Sequence, residues 1–229
     1  MKKVALITGA SKGIGRSCAK IFLKNNYTVI NASRTDNNPV KNKNYQYIKT
    51  DVSKEKDVKN LINTVIKKFG CIDVLICNAG FGKFANFAES KTKDFDEMFA
   101  VNVKGVYLCT RYALKSMIER KSGTIIYISS IAGKNGIATA SVYSATKHAL
   151  MGLSSSLMAE VRKDNIRVIT VCPGSADTNF FDDPSASLSA RRDTILSPES
   201  VAEVCLLAAG LPQNALMNEI EIRPLNPQK

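Results

Sequence analysis

Two kinds of hydrophobic pattern alternate along the chain. In one, four to six mostly apolar residues follow one another, which is typical of buried strands. In the other, apolar residues recur every three or four positions over more than ten residues, which is typical of helices with one buried face. The first pattern predicts strands at residues 4–8, 27–32, 45–49, 72–77, 124–129, 167–172 and 219–223. The second predicts helices at residues 14–24, 58–69, 93–119, 141–163 and 198–209.

The alternation of strands and helices decides the fold class. A strand followed by a helix and a parallel strand forms a right-handed crossover, and a series of these builds a mostly parallel sheet with helices on both faces. Residues 33–44 are polar and too few for a full crossover helix. The 229 residues suit one such domain, and no change of composition marks a boundary. We therefore predict a single three-layer, doubly wound α/β domain over residues 1–229, with about seven strands.

The charge of the chain adds one restriction. The 32 lysines and arginines exceed the 20 acidic residues and give a net charge of +12, as in many nucleic-acid-binding proteins. The basic residues are scattered, however, without a block of five or six like charges or a basic run interleaved with aromatic residues. We expect a diffusely basic surface that favours anionic small molecules, and no nucleic-acid binding.

Cysteine spacing and hydropathy bear on metals and location. The six cysteines form no C-x-x-C pair and no spacing typical of a metal site, so no bound metal is predicted. Several lie in apolar runs, where free cysteine behaves as a small buried hydrophobe, consistent with a reducing compartment. The apolar run at residues 4–7 is too short for a signal peptide, and no run reaches the ~18 residues that a membrane-spanning helix needs. We expect a soluble, cytoplasmic protein without a membrane partner.

A glycine-rich turn separates the first predicted strand from the first predicted helix. Its sequence, Thr8-Gly9-Ala10-Ser11-Lys12-Gly13-Ile14-Gly15, stands in the strand–turn–helix context of a dinucleotide fingerprint. Glycines let the backbone approach a pyrophosphate closely, and the N-terminus of the helix stabilises its charge. The spacing is G-x-x-x-G-x-G rather than the usual G-x-G-x-x-G, and a purely structural turn is the alternative. The residues predicted to bind the dinucleotide here are Gly9, Ser11, Lys12, Gly13, Ile14 and Gly15.

A second candidate feature is the pair Tyr143 and Lys147. Because they are four residues apart in a predicted helix, their side chains lie on one face. A phenol titrates near pH ~10, and a neighbouring cation lowers that pKa. The pair therefore has the properties of a tuned acid/base. The same spacing occurs by chance on ordinary amphipathic helices, so its meaning depends on the other residues of the chain.

Together with further motifs, these features resemble the short-chain dehydrogenase/reductase family. The matching residues span about residues 3–224 and keep the order and rough spacing of the family. They are Thr8-Gly9-x-x-x-Gly13-x-Gly15, Asn78-Ala79-Gly80, Asn102, Ser130, Tyr143-x-x-x-Lys147 and Pro173-Gly174. The resemblance implies a Rossmann fold and reversible hydride transfer between a nicotinamide and a carbonyl or alcohol carbon.

The resemblance also implies roles for four residues. Tyr143 would be the catalytic acid/base, and Ser130 would hydrogen-bond the substrate oxygen. Lys147 would lower the pKa of the tyrosine and hold the nicotinamide ribose, while Asn102 would anchor a water that relays protons to Lys147. Taken singly, a helix cap for Ser130, a core amide for Asn102 and a solvated Tyr143–Lys147 pair are the alternatives. Independently, Ser130 follows a predicted strand, at the edge where open α/β sheets bind ligands.

The end of the second predicted strand indicates which nicotinamide cofactor the chain binds. An NAD enzyme of this type has an acidic residue there, whereas this chain has Ser33 followed by Arg34. Arginine can bind a 2′-phosphate through two hydrogen bonds, and Lys12 adds a second cation. A solvated Arg34 is the alternative. We predict NADP(H) rather than NAD(H), with Ser33 and Arg34 as cofactor-binding residues.

The resemblance implies further cofactor contacts around the sheet. A carboxylate after the third strand would accept a hydrogen bond from the adenine amine, with a simple surface turn as the alternative. An asparagine-alanine-glycine sequence after the fourth strand would line the adenosine ribose, and the loop after the sixth strand would close over the nicotinamide. These residues are Asp51, Val52, Asn78, Ala79, Gly80, Pro173, Gly174, Ala176 and Thr178.

The substrate is less constrained by the sequence. Residues 175–196 are expected to form a short substrate lid, since loops that follow strands carry specificity. Phe180 and Phe181 indicate an apolar part of the substrate, or they pack only against the fold. A small carbonyl or secondary alcohol is the first interpretation. The alternative is a 3-oxoacyl group on acyl carrier protein, which the missing Gly-Gly ending disfavours, and a non-catalytic NADP(H) sensor is disfavoured by the complete catalytic set.

Two long predicted helical segments bear on assembly. Residues 102–120 and 140–161 carry small side chains, including Ala145, Ala149 and Gly152. Small side chains let paired helices approach each other closely across a two-fold axis. We predict a homodimer or homotetramer.

Overall fold

A parallel sheet runs through the centre of the protein, whose structure is a computed structural model that describes residues 2–182 and 191–228. The strands in these two ranges are β1 (Val4–Thr8), β2 (Thr28–Ser33), β3 (Tyr45–Lys49), β4 (Val74–Cys77), β5 (Gly123–Ile128), β6 (Ile166–Pro173) and β7 (Glu219–Ile222). They lie in the order β3-β2-β1-β4-β5-β6-β7, and every neighbouring pair is parallel. The predicted seven-stranded sheet is confirmed.

The order of the strands reverses at β1. The chain first builds outward from β1 to β2 and β3, and then returns to add β4 to β7 on the other side. Leu6 therefore has partners on both sides, Ile30 in β2 and Leu75 in β4. Because the two halves wind away from each other, a crevice opens at the carboxyl ends of β1 and β4, where open α/β sheets bind their ligands.

Helices cover both faces of the sheet. Within the described ranges they are α1 (Gly13–Lys24), α2 (Glu55–Phe69), α3 (Thr92–Phe99), α4 (Gly105–Arg120), α5 (Ser141–Val161) and α6 (Pro198–Gly210). One core joins α1 and α6 to the sheet, and a second core joins α2, α4 and α5 to its other face. Successive residues of β1 point to opposite faces, so Leu6 belongs to one core and Ile7 to the other. This is the predicted three-layer, doubly wound arrangement.

The helix predicted at residues 93–119 differs from the structure in one respect. A π-helical turn at Ala100–Lys104 joins α3 to α4, so the helical path continues with a different hydrogen-bond spacing. Asn102 lies at the centre of this turn and is 1% exposed. The predicted helical stretch is confirmed, but the hydrophobic period does not distinguish the π turn within it from an α turn.

Most other boundaries differ from the predictions by a few residues at most. The predicted strand at residues 72–77 begins at Val74. Just before it, the Asp73 carboxylate accepts a hydrogen bond from the backbone N–H of Val4 at 2.7 Å. Residues 34–44 join β2 to β3 without a helix, as predicted. Among the helices described by the structure, none has the length and apolarity that crossing a membrane requires.

Candidate active site

The side chains of Thr8 and Asn78 hold the crevice together at the ends of β1 and β4. The Thr8 hydroxyl oxygen accepts hydrogen bonds from the backbone N–H groups of Asn78 and Ala79, both at 3.0 Å. The Asn78 amide donates in return to the carbonyl oxygens of Thr8 at 2.9 Å and Gly9 at 3.2 Å. The predicted ribose-lining residues Asn78 and Ala79 therefore lie against the glycine turn and fix its first residue.

The glycine turn is shaped as a cradle of backbone groups. Gly9 and Gly13 have φ values of +68° and +53°, a region that favours glycine. A Cβ at Gly9 would lie 2.9 Å from the Cα of Ala79, and one at Gly15 would collide with the side-chain nitrogen of Asn78. Helix α1 begins at Gly13, and no described side chain caps its N-terminus. Backbone N–H groups at the start of a helix, beside glycines that let a ligand approach closely, fit the phosphates of a dinucleotide.

The remaining predicted residues of this turn keep some exposure to solvent. Ser11 and Ile14 are partly exposed, and Lys12 is exposed at the start of α1. A ligand that enters the crevice can therefore reach these side chains without a change in the fold.

A second cation, Arg34, lies at this edge of the sheet, directly after β2. The Arg34 side chain is exposed, and the Tyr47 hydroxyl donates a hydrogen bond to the Arg34 carbonyl oxygen at 3.0 Å, which fixes the backbone below the guanidinium. Ser33 is buried, and its hydroxyl donates to the carbonyl oxygen of Thr35 at 2.9 Å. Arg34 and Lys12 thus lie at the same carboxyl edge of the sheet, with their charges open to solvent.

Asn31 links the loop after β2 to the glycine turn. Its side-chain oxygen accepts from the Ala10 N–H at 3.1 Å, and its nitrogen donates to the Tyr45 hydroxyl at 2.9 Å. That hydroxyl donates to Asp36 at 2.6 Å, and burial together with Asp36 raises the pKa of Tyr45. The sequence analysis missed this chain of contacts. The one feature of the sequence that pointed to these contacts was Asn31, a polar residue inside an apolar strand.

Asp51 follows β3 at the same edge, as predicted. Its carboxylate accepts from the N–H of Ser53 at 3.1 Å and from the Ser53 hydroxyl at 2.7 Å. Burial raises the pKa of Asp51, but these hydrogen bonds and the charges of Lys54 and Arg34 outweigh burial and hold the pKa below its ordinary value. Because Ser33 pairs with Lys49 in the sheet, Arg34 and Asp51 follow the ends of two neighbouring strands. Val52 is buried behind them.

Ser130 and Tyr143 meet beyond the carboxyl end of β5. Ser130 begins a 3₁₀ turn at Ile131–Gly133, and its side-chain oxygen accepts from the N–H of Ala132 at 3.1 Å. Tyr143 lies in the first turn of α5, with Lys147 one turn further along the helix. A hydrogen bond between the Ser130 and Tyr143 side chains lowers the pKa of the tyrosine. The structure thus brings the predicted serine and tyrosine together from two separate elements.

The relation between Tyr143 and Lys147 differs from the prediction. Burial raises the pKa of Tyr143 to about 12, and the hydrogen bond with Ser130 offsets only part of this effect. The Lys147 ammonium lies 5.6 Å from the centre of the tyrosine ring and donates to the carbonyl oxygen of Ile128 at 2.9 Å. Burial lowers the pKa of Lys147 to about 8. The predicted lowering of the tyrosine pKa by Lys147 is therefore wrong for the protein alone, because burial raises this pKa and the group that lowers it is Ser130.

Asn102 connects the loop after β4 to helix α5. Its amide nitrogen donates to the carbonyl oxygen of Phe81 at 2.8 Å and to the Thr146 hydroxyl at 3.1 Å, and its oxygen accepts from the Phe81 N–H at 3.1 Å. A Cβ at Gly80 would lie 3.1 Å from the Asn102 side-chain oxygen and 3.7 Å from the Lys147 ammonium. Two polar side chains therefore converge on Gly80.

The loop after β6 lies against the glycine turn. The Thr178 side chain is 3.3 Å from the position that a Gly13 Cβ would take, and Ala176 forms a β-bridge with Leu196. This places the loop over the crevice. The four residues predicted at the nicotinamide end lie in this loop or at the end of β6, namely Pro173, Gly174, Ala176 and Thr178.

The predicted lid is described in two parts. Residues 175–182 and 191–196 belong to the described ranges, and an ion pair of 3.1 Å between Arg192 and Asp177 joins the two parts. Residues 183–190 lie outside the described residues, and so does the side chain of Phe181, which was predicted to contact substrate or fold.

Phe84 is a site residue that the sequence analysis missed. Its ring centre lies 5.7 Å from that of Tyr143 and 5.8 Å from that of Phe180, and the Tyr143 and Phe180 rings are 5.4 Å apart. The lid residue Phe180 thus packs at the tyrosine itself. The signal for Phe84 was weak, since it is one of three phenylalanines in residues 81–87.

A phosphate cradle at the crevice of a doubly wound sheet, with a serine, a tyrosine and a lysine beside it, is the arrangement of a nucleotide-dependent oxidoreductase. A family profile described as short chain dehydrogenase matches residues 3–188. The chain belongs to this family and is an oxidoreductase of its type.

Relatives and solved structures agree with this membership over nearly the whole chain. An uncharacterized oxidoreductase of Staphylococcus aureus (strain MRSA252) is 31% identical over 229 residues, which cover 97% of both chains. The structure of ElxO with NADP bound has a TM-score of 0.88 and 32% identity and covers 97% of both chains. A 3-ketoacyl-(acyl-carrier-protein) reductase from Brucella melitensis, complexed with NADH, has a TM-score of 0.90 and 28% identity over 97% of both chains.

Proposed function

We propose that this protein is an NADP(H)-dependent oxidoreductase that catalyses reversible hydride transfer between the nicotinamide and a small carbonyl or secondary alcohol. The single observation that carries the proposal is the meeting of Ser130 and Tyr143 beyond β5, beside the buried cation of Lys147. A tyrosine hydroxyl hydrogen-bonded to a serine suits a substrate oxygen that gains or loses a proton while hydride moves at the carbon.

Tyr143 is the proton donor in the reductive direction. With a pKa of about 12 in the protein alone, the phenol is protonated at neutral pH and can give its proton to the substrate oxygen. Ser130 accepts from the Ala132 N–H, which orients its oxygen and leaves its own proton to stabilise the negative charge that develops on the substrate oxygen. The bound nicotinamide supplies the hydride.

Lys147 and Asn102 support this proton transfer. Lys147 is held at the end of β5, and its low pKa lets it exchange a proton near neutral pH. It is also the proposed contact of the nicotinamide ribose. Asn102 reaches the same glycine, Gly80, and is proposed to hold the water that passes protons to Lys147. The π turn that carries Asn102 supports this role, since such turns recur at functional sites.

The proposed cofactor is NADP(H), held with its phosphates on the glycine turn and its adenosine end between Arg34 and Asp51. Two exposed cations, Arg34 and Lys12, border this end, and a 2′-phosphate carries the charge that they attract. The likeness to ElxO, which was solved with NADP bound, supports the same choice. The Brucella melitensis reductase was solved with NADH, so NAD(H) is the alternative to be tested directly.

A second candidate substrate is a 3-oxoacyl group on acyl carrier protein. It is favoured by the TM-score of 0.90 to the Brucella melitensis 3-ketoacyl reductase and by the net charge of +12, since carrier proteins are acidic. The small-carbonyl proposal comes first because the positive charge is scattered along the sequence and does not by itself indicate an acidic carrier protein. A comparison of free ketones with 3-oxoacyl thioesters separates the two candidates.

We also propose that the chain works as a homodimer or homotetramer. An apolar depression lies between α5 and the α3–α4 helical path, lined by Phe99, Val103, Tyr107, Ala149, Gly152 and Leu153. Tyr107 is 46% exposed there, although its neighbours on the helix are core residues. Ala149 and Gly152, two of the small residues predicted for this purpose, lie on this face. A second copy that packs its own α4 and α5 here would bury the face.

The test of the proposed function is NADPH oxidation against ketones, aldehydes and 3-oxoacyl thioesters. Tyr143→Phe removes only the phenolic oxygen and is expected to lower kcat by about 10²- to 10⁴-fold while cofactor binding is kept. Tyr112→Phe is the matched control, because the Tyr112 hydroxyl bonds only to Glu55 among the hydrogen bonds described. Equal activity of Tyr143→Phe and the wild type refutes the mechanism. A wild type that binds NADPH but reduces no member of the panel favours a non-catalytic sensor.

A further inference from the structure

The Phe84 side chain is shared by two spaces. On one side its ring packs with the rings of Tyr143 and Phe180, with centres 5.7 and 5.8 Å away. On the other side it lines a cavity of about 350 Å³. Among the residues that the structure describes, neither Tyr143 nor Phe180 lines that cavity. Phe84 is therefore the aromatic side chain between the catalytic tyrosine and the cavity.

The cavity is close to the site, and its wall is formed by apolar and polar residues in about equal measure. Its volume is within the range of small-molecule sites, roughly 300–1,000 Å³. It is bounded by the loop after β4, by α3 and by the first turn of α5, where Val142 precedes Tyr143. The apolar residues that line it are Phe84, Ala85, Phe87, Phe95, Met98 and Val142.

Two features fix the Phe84 ring in this position. The N–H of the next residue, Ala85, donates to the carbonyl oxygen of Thr139 at 2.9 Å and so ties the loop to the segment before α5. Gly82 provides the space: a Cβ there would lie 2.8 Å from the ring tips of both Phe84 and Phe180. Because residue 82 has no side chain, both rings can turn inward and meet at Tyr143.

Resting on the proposed function, we propose that Phe84 limits the size of the substrate and that Phe84 and Phe180 select an apolar substituent on its carbonyl carbon. A substrate oxygen at Ser130 and Tyr143 places the rest of the molecule against these two rings. A charged substituent would lose its hydrogen bonds to water there, and aromatic rings do not replace them. An apolar substituent is therefore favoured. The Phe84 ring closes the way to the cavity, which keeps bulky substituents out.

The experiment compares the reduction of acetone with that of benzylacetone, which carries a bulky apolar substituent. Phe84→Ala joins the cavity to the site and is expected to raise the benzylacetone/acetone ratio of kcat/KM by at least about tenfold, the usual scale for apolar pocket contacts. Phe84→Leu keeps an apolar side chain at this position and serves as a second variant in case Phe84→Ala does not fold. It is expected to give a smaller rise in the same ratio. Phe87→Ala widens the outer side of the same cavity, because Phe87 is 73% exposed, and leaves the ratio unchanged.

A second measurement makes the result independent of turnover. Ligand-observed NMR gives the dissociation constants of both ketones in the presence of NADP⁺, for the wild type and the three variants. The ratio of affinities is expected to shift in the same direction and in the same variants. Equal ratios in the wild type and both Phe84 variants overturn the proposal, and so does a rise in Phe87→Ala as large as in Phe84→Ala. If no ketone is reduced, the proposed function fails, and the affinity ratio still decides the role of Phe84.

Discussion

The ammonium of Lys147 donates a hydrogen bond to the carbonyl oxygen of Ile128, the last residue of β5, at 2.9 Å. This contact ties the middle of α5 to the end of the strand that leads to Ser130. It also directs the charge of a buried lysine to a main-chain carbonyl rather than to the Tyr143 hydroxyl. A carbonyl dipole compensates a buried cation less than a carboxylate does, and burial therefore lowers the pKa of Lys147 to about 8.

The low pKa of Lys147 predicts a pH-dependent cost in stability. In the unfolded chain the lysine keeps its ordinary pKa near 10.5, so between pH 8 and 10.5 the unfolded state binds more protons than the folded state. Stability then rises with pH across this window, and below pH 8 the cost of the buried charge is fully present. The free energy of unfolding can be measured with urea for the wild type and for Lys147→Met. The wild-type value minus the variant value should rise by about 2 kcal/mol from pH 7 to pH 9.5.

A matched variant separates this effect from other titrations. Lys20→Met removes a lysine that is exposed on α1, and its difference from the wild type should stay constant over the same range. Contributions from groups far from both lysines cancel in the differences. A flat difference for Lys147→Met would contradict the lowered pKa.

Asn102→Ala should destabilise the fold as well as the site. The substitution removes partners from the N–H and carbonyl of Phe81 and from the Thr146 hydroxyl, at a position that is 1% exposed. Buried polar groups left unpaired cost about 1–3 kcal/mol. Urea denaturation should show a loss of this size, whereas Asn63→Ala, exposed on α2, should change stability by less than about 0.5 kcal/mol. Equal urea midpoints for Asn102→Ala and Asn63→Ala would contradict the structural role of the Asn102 hydrogen bonds.

Arg34→Ala should weaken the binding of NADPH but not the binding of NADH. A hydrogen bond between a guanidinium and a phosphate is worth about 1.5–3 kcal/mol, so the dissociation constant of NADPH should rise by roughly ten- to a hundredfold. Isothermal titration with both cofactors measures the two values. Lys59→Ala, an exposed cation on α2, should alter neither. A parallel loss of NADH affinity in Arg34→Ala would mean that the arginine does not recognise the 2′-phosphate.

Gly152→Lys should separate the proposed oligomer. A Cβ at Gly152 meets nothing within 4 Å in its own chain, so the fold should accept a side chain there, while a packed neighbour should not. Light scattering after size exclusion should give two or four times 24.9 kDa for the wild type and 24.9 kDa for the variant. Gly210→Lys, equally open at the end of α6, should keep the wild-type mass. A monomeric wild type would refute the assembly.

The fold was predictable because its determinants are local and repeated. Short apolar runs and three-to-four-residue periods locate the strands and helices, and the right-handed crossover rule leaves few ways to arrange them. The glycine turn was predictable for the same reason. Its backbone conformation, with positive φ at Gly9 and Gly13, requires particular residue types at fixed spacing. The π turn at Ala100–Lys104 was not, because it leaves the hydrophobic period unchanged.

By itself, the sequence determined the order of the elements, the phosphate cradle and the identity of the serine, tyrosine and lysine that the sheet brings together. Tertiary structure alone decided the electrostatics and the shape of the site. The pKa values of Tyr143 and Lys147 follow mainly from burial by the surrounding fold, which their spacing along the helix does not reveal. The Phe84–Tyr143–Phe180 cluster joins three separate segments, and only packing shows that they meet.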